Sequence, residues 1–361
     1  MFSAFLALLA INNVGPTFSK TVIDTRFVSE GVAVADVNRD GKLDIMAGSA
    51  WYEAPDWKVH EIAPYVEIEK EKAWSDSFHN WAEDLNGDGW IDQIIIGMPG
   101  TAARWRENPG EKGGHWKEHT IWRSACNESP LYVDLFNNGK KVIVMGYDDS
   151  KMAWFEPSDD PYNEWICHDI SGDCGAGSQR YSHGLGVGDI TGDGRNEIIT
   201  KGGYYLASSD SGGWSFLKAE LGNDCAHMHV LDGSVLSTSA HNYGVWWHKK
   251  TADGFKTEMI DDTVSVTHSA ALVTINGKPN LITGKRKWGH PPGVDPGSEE
   301  PHWVVRYELD GNKWTRHIID EDSGVGTQFE VTDINGDGQL DIVTANKNGV
   351  FLFVQTSVSS D

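Results

Sequence analysis

Short apolar strands recur along the chain between polar turns, in a repeating order: an alternating strand, an acidic turn, an apolar strand, then an aromatic strand. The acidic turn is the anchor of each repeat. It reads DVNRDGKLD at 36–44, DLNGDGWID at 84–92, DITGDGRNE at 189–197 and DINGDGQLD at 333–341. Three more units keep the strands without the full set of acids: VDLFNNGKKVIVMG from Val133, HVLDGSVLSTS from His229 and ALVTINGKPNLITG from Ala271. Outer strands of common form follow, as in DWKVHEI at 56–62, HWKEHTI at 115–121, EWICHDI at 164–170 and KWTRHII at 313–319. No single unit of this kind can bury its own apolar face, so the repeats must pack side by side. Seven anchors predict an all-β, seven-bladed β-propeller that forms a single domain over 17–361. The last unit runs out near Gln355 without an outer strand, and TFSKTVID at 17–24 has the matching pattern. That N-terminal strand is expected to complete the last blade and close the ring, which removes exposed sheet edges.

Composition narrows the partners. With 30 Lys and Arg against 53 Asp and Glu, the net charge is −23. A phosphate-binding protein needs a basic stripe, so nucleic acid and insertion into an anionic membrane are disfavoured as partners. Residues 1–16 read as a leader: the apolar run Phe2 to Ile11 resembles the core of a secretion signal and is too short to span a bilayer, which leads to the expectation of a secreted or periplasmic protein. Cys126, Cys167, Cys174 and Cys225 are compatible with one or two disulfides, in any of three pairings.

Oxygen ligands at alternate positions before a glycine turn suit a hard cation such as calcium. The four loops offer Asp36, Asn38, Asp40 and Asp44; Asp84, Asn86, Asp88 and Asp92; Asp189, Thr191, Asp193 and Glu197; and Asp333, Asn335, Asp337 and Asp341. The same residues also make ordinary Asp/Asn/Gly hairpin turns that need no metal. Because each loop joins the first two strands of a unit, the expected role is structural, at the end of the ring opposite the function.

Aligning the units on their acidic turns puts Glu30, His79, Glu128, His183, His227, His268 and Gln328 in register just before the innermost strands, around the mouth of a central channel. Four histidines in seven such positions mark a candidate site. His60, His119, His168 and His317 recur instead on the outer strand, where a repeated structural hydrogen bond accounts for them. Loops between second and third strands are expected to bring Tyr147, Lys201, Tyr204, His241, Lys285, Arg286, His290 and Lys347 to the same mouth. Such a mixture of bases, cations and phenols would favour a carboxylate-bearing ligand, with Trp51, Trp74, Trp81 and Trp288 as stacking faces or as interblade packing. In an extended chain Cys225, His227 and His229 point to one side, a set that suits zinc. A Cys174 to Cys225 disulfide is the competing explanation.

The acidic turns and their trailing strands resemble the FG-GAP or VCBS repeat family of β-propellers from residue 17 to 356. The chain also looks like the propeller portion of aldos-2-ulose dehydratases and, more distantly, is similar to propeller ulvan lyases that use His and Tyr. The resemblance implies a carbohydrate ligand and a lyase or dehydratase working by β-elimination, though the cupin domains of the dehydratases are absent here. Proton abstraction next to a carboxylate needs a base, an acid for the leaving oxygen and a cation for the enolate. His79, His183, His268 and Tyr204 suit the proton steps, and Lys201 or Arg286 the oxyanion. Glu30, Glu128, Tyr147, His241, Lys285, His290, Gln328 and Lys347 would then bind substrate. A non-catalytic carbohydrate-binding or adhesion propeller fits the same repeats. Nucleophile elbows, phosphate-cradling loops and dinucleotide fingerprints do not occur, so serine hydrolases, kinases and dehydrogenases are unsupported.

Overall fold

The computed structural model describes residues 15–208, 213–222 and 225–356. The leader at 1–16 lies almost wholly outside these residues, including its apolar run. Among the described residues the regular structure is all β apart from one short 3-10 turn at Gly110–Lys112, and no helix is long and apolar enough to cross a membrane.

The strands form a β-propeller. Each four-stranded unit is an antiparallel meander, and its second strand is buried on both faces, as in the runs Asp44–Ala47, Asp92–Ile96, Val142–Tyr147 and Asp341–Asn346. Apolar residues such as Ile94, Ile143, Val343 and Ile45 are fully buried there, in clusters that span neighbouring units and include the third-strand aromatics Trp105, Phe155 and Tyr52. This packing of sheet on sheet is what the run of apolar and aromatic strands dictates.

Five of the sheets stand alone as four-stranded blades, and the sixth has eight strands. The expectation of seven separate blades is corrected at this sheet. Its halves are Leu185–Gly188, Glu197–Thr200, Gly203–Ala207 and Trp214–Lys218, then Cys225–Leu231, Ser234–Ser239, Tyr243–Thr251 and Gly254–Ser265. They join through a parallel pairing of their innermost strands, Leu185 with His227 and Gly186 with Met228. Glycine makes the junction possible: a Cβ on Gly186 would lie 2.4 Å from the Met228 carbonyl oxygen, and one on Gly188 2.7 Å from Val230.

The N-terminal strand Thr17–Asp24 pairs antiparallel with Gly349–Thr356, Thr17 opposite Thr356 and Val22 opposite Phe351. The sheet it completes holds both ends of the described chain, so the ring is closed by strand pairing. On the outer strands, His60, His119 and His168 each bond a glutamate of the third strand (Glu53 at 2.7 Å, Glu107 at 3.0 Å, Glu156 at 2.8 Å) while stacking on Trp51, Trp105 and Trp154.

Candidate functional site at the channel mouth

Segments that lead into the innermost strands bond to one another from unit to unit. Glu30 N donates to Ser77 O, Glu128 N to Ser182 O, and Thr327 N to Glu30 O. This belt fixes where the entry side chains meet. Buried Arg286 donates through Nε and Nη2 to Glu30 Oε1 at 3.1 and 2.6 Å, and its Nη1 lies 3.9 Å from Glu128 Oε2. Glu128 in turn bonds His183 at 3.2 Å and is 4.0 Å from His268 Nε2. The rings of His183, His241 and His268 meet edge to face, with centroids 4.7 to 5.4 Å apart. One ligand atom from each of these three histidines lies within 4.8 Å of the other two. His79 and His227 form a neighbouring pair, 5.9 Å between centroids.

Burial decides the electrostatics. It pushes the imidazolium of His79 and of His268 well below its usual range, helped by the Arg286 charge, and that of His227 down to about 3. These rings are neutral. Both nitrogens of His79, Nε2 of His227 and Oε2 of Glu30 are buried without a hydrogen-bond partner among the described residues. Burial alone would raise the Glu128 carboxyl, but the His183 hydrogen bond and the charges of His183, Arg286 and His241 hold it below the ordinary value. Lys347, buried over the rings of Phe27 and Trp74, is pulled down to about 8 by desolvation.

A second acidic group backs the cluster. Asp295 bonds His290 Nδ1 at 2.8 Å and lies 3.4 Å from His241 Nδ1; these bonds outweigh its burial and hold its carboxyl well below the usual range. The segment carrying Asp295 crosses the cluster so closely that a Cβ on Gly289 would come 2.9 Å from His268 Cε1. Trp74 anchors that segment by donating to Gly289 O. Asp295 carries no periodic signal; its place in an irregular loop hid it from sequence reasoning.

Several expected members are elsewhere. Gln328 is a brace, its Oε1 accepting from Val32 N at 2.9 Å and Asn80 N at 3.3 Å. Tyr147 donates to Asp169 and packs edge-on against Phe155 and Trp122, inside the interblade core. Lys201 and Tyr204 line a cleft between the two halves of the eight-stranded sheet, because the third strand of a unit lies away from the channel. Lys285 faces Glu300 at 3.6 Å in a smaller cavity of about 230 Å³ beside Trp303. The Cys225, His227 and His229 set does not converge, because a register shift between Cys225 and Met228 breaks the alternation. The Cys225 thiol donates to Leu221 O, and His229 Nε2 bonds Ala270 O at 2.8 Å. Cys174 is an exposed thiol, so the Cys174 to Cys225 disulfide is not formed.

In the acidic loops, the first acid accepts at least two backbone N–H groups: Asp40 and Gly41 donate to Asp36, Asp88 and Gly89 to Asp84, Gly192, Asp193 and Gly194 to Asp189, and Gly336, Asp337 and Gly338 to Asp333. Asp134 in VDLFNNGKK does the same with Asn138 and Gly139, although the later acids are missing there. The turn geometry therefore requires one acid, not three. The last acid is a clamp. Asp44 accepts from Val37 N and Ala54 N, Asp92 from Leu85 N and Asn108 N, Asp341 from Ile334 N and Gln355 N, tying the loop to the third strand or the residue just after it. Burial, with the neighbouring loop carboxylates adding to it, pushes Asp44 up to about 6 and Asp92 to about 7.

No protein-family model matches the chain, and no curated protein matches it. Solved structures do match in fold: BBS1N in complex with ARL6DN, at TM-score 0.58 and 10% identity over 96% of this chain and 98% of that one, and YCF48 from Cyanidioschyzon merolae, at 0.49 and 11% over 93% and 98%. BamB from Moraxella catarrhalis matches at 0.43 and 12% over 91% and 85%. At 10% identity the likeness to BBS1N speaks for a β-propeller fold and nothing more.

Proposed function

We propose that this chain is a metal-assisted carbon–oxygen lyase acting on carbohydrate, removing a proton next to a carboxylate or carbonyl while the oxygen on the neighbouring carbon departs. One observation carries the reading: His183, His241 and His268, from different units, offer ligand atoms within 4.8 Å of one another beside buried Arg286 and Glu128. Three imidazoles suit a borderline divalent ion such as zinc, and buried, neutral His268 fits that donor set. A metal bound there would polarise the substrate carboxylate or carbonyl.

The chain's own residues supply the rest. Asp295 orients His241, as a carboxylate does behind a metal-bound imidazole. Arg286 gives the mouth a fixed cation next to the place where an oxyanion would develop. His79 and His227 adjoin the cluster as neutral rings, and burial opposes their protonation. Counting the eight-stranded sheet as two units gives seven around one channel, which supports kinship with FG-GAP or VCBS propellers. Calcium in the four acidic loops, as scaffold, and export of the protein belong to the same reading.

A lectin-like role without chemistry is favoured by one feature, the neutralisation of Arg286 by Glu30. Product formation separates the two. With zinc supplied, uronate polysaccharides and keto-sugars should give a rise in ultraviolet absorbance from the new conjugated double bond, and His268→Ala should cut the rate by roughly 10²-fold or more. Asp295→Asn should weaken zinc binding by about 10- to 100-fold. Saccharide binding with no product from any substrate, unchanged in His268→Ala, would leave the lectin reading in place of the lyase.

A further inference from the structure

The eight-stranded sheet creates a second concave site, away from the channel. Its halves are joined only at their innermost strands. Strand twist therefore carries the outer hairpins apart. Between the outer strands Gly203–Ala207 and Trp214–Lys218 of one half and Tyr243–Thr251 and Gly254–Ser265 of the other lies a cleft of about 1270 Å³. That is more than a single small ligand fills, since such pockets span roughly 300–1,000 Å³.

The walls are aromatic and the rim is polar. Tyr204 comes from one half and Trp246 and Phe255 from the other, with Lys218, Asn242 and Thr257 among them. All three aromatic residues are only half-buried, so part of each ring remains accessible after packing. They are nonetheless held in place. Tyr204 and Phe255 pack against the buried cluster of Ile190, Ile199, Leu221 and Val235. The six-membered ring of Trp246 lies against Gly244, where a Cβ would come 2.2 Å from Cζ2 and 2.5 Å from Cη2. On the cleft wall, buried His248 bonds Ser237 at 2.9 Å through Nε2 and Thr257 at 2.9 Å through Nδ1. Burial pulls its imidazolium down to about 4, so the wall carries no buried charge there. Exposed Lys218, Glu220 and Asp253 bring both signs to the rim.

Fixed aromatic faces with amide and hydroxyl groups between them match a sugar ring, which has an apolar C–H face and an equatorial belt of hydroxyls. The absence of a one-signed charge selects against a polyanion. We propose that this cleft is a saccharide-binding site for a neutral oligosaccharide stretch, separate from the channel mouth. It stands whether or not the mouth is catalytic.

The test is calorimetric titration of the whole chain with neutral hexasaccharides of glucose, xylose and mannose and with a uronate hexasaccharide, alongside the same titrations of Trp246→Ala, Phe255→Ala and His268→Ala. Binding of at least one neutral hexasaccharide is expected, weakened about tenfold or more by each aromatic variant, which removes a stacking face, and unchanged by His268→Ala. Cooperative melting of Trp246→Ala and Phe255→Ala well above the titration temperature guards against loss of fold as the cause. The site is overturned if no neutral sugar binds, if only the uronate binds, or if binding is lost in His268→Ala and kept in both aromatic variants.

Discussion

Asp44, Asp92 and Asp341 show how one residue type reads two ways. Each ends a DxNxDGxxD-like turn and counts as a calcium ligand by spacing, yet each uses both carboxylate oxygens to hold backbone N–H groups. Spacing cannot separate a clamp from a ligand, because a calcium loop and an Asx turn place their oxygens alike. Asp92→Ala leaves two N–H groups without their acceptor and should destabilise the fold by about 2–4 kcal/mol, against less for Asp92→Asn, which keeps one oxygen. Urea midpoints measure the difference; equal midpoints for wild type and Asp92→Ala would refute the clamp. Glu330 gives a pH dependence of definite sign. Burial raises its carboxyl from 4.5 to about 7, so between those values the native state keeps a proton that the unfolded chain has lost. Its contribution to stability is whole below the unfolded value and falls as pH rises through the native one. Glu330→Gln should match wild type near about pH 4 and be more stable at about pH 8, by up to roughly 3 kcal/mol, in paired thermal melts. A gap that does not widen with pH would count against it.

At the level of elements, the seam between Leu185–Gly188 and Cys225–Leu231 departs most from the repeat. In the sequence Gly186 and Gly188 look like any glycines in a strand. Only the partner strand shows that they admit its backbone and side chains at contact distance. Gly186→Val would drive its Cβ into the Met228 carbonyl and should lower stability by about 1–3 kcal/mol or more. Because the channel belt and the outer cleft both depend on the seam, zinc uptake and saccharide binding should fall together in that variant. A fully stable Gly186→Val protein would mean that the strands separate without cost. Next to the seam, a register shift in the pairing of Cys225–Leu231 with Ser234–Ser239 explains why alternation failed at Cys225, His227 and His229: the thiol bonds Leu221 and one imidazole Ala270.

For the whole molecule, closure rests on Thr17–Asp24. Its strand completes the last sheet, and Asp24 at its end binds Arg26 and accepts from Tyr52 OH at 2.7 Å in the next blade. Deleting residues 17–24 would uncover the edge of Gly349–Thr356, including Val350 and Phe353 in the buried core. Size-exclusion chromatography should then show association beyond the wild-type state, and a deletion protein that elutes and melts like wild type would contradict closure by pairing.

The repeating strands, a structural hydrogen bond at the outer-strand histidines His60, His119 and His168, the closing strand and most of the entry ring were legible along the chain, because period and position within a repeat are local properties. Glu30, Glu128, His183 and His268 could be nominated from register alone, and the fold brings them together. Distance across the ring is not local. That His241 joins His183 and His268, that Asp295 stands behind it, that Gln328 braces rather than binds, and that Tyr204 belongs to an outer cleft were decided by how the units pack. The fusion of two units into one sheet was decided there too, by the close approach that two glycines permit between strands nearly forty residues apart.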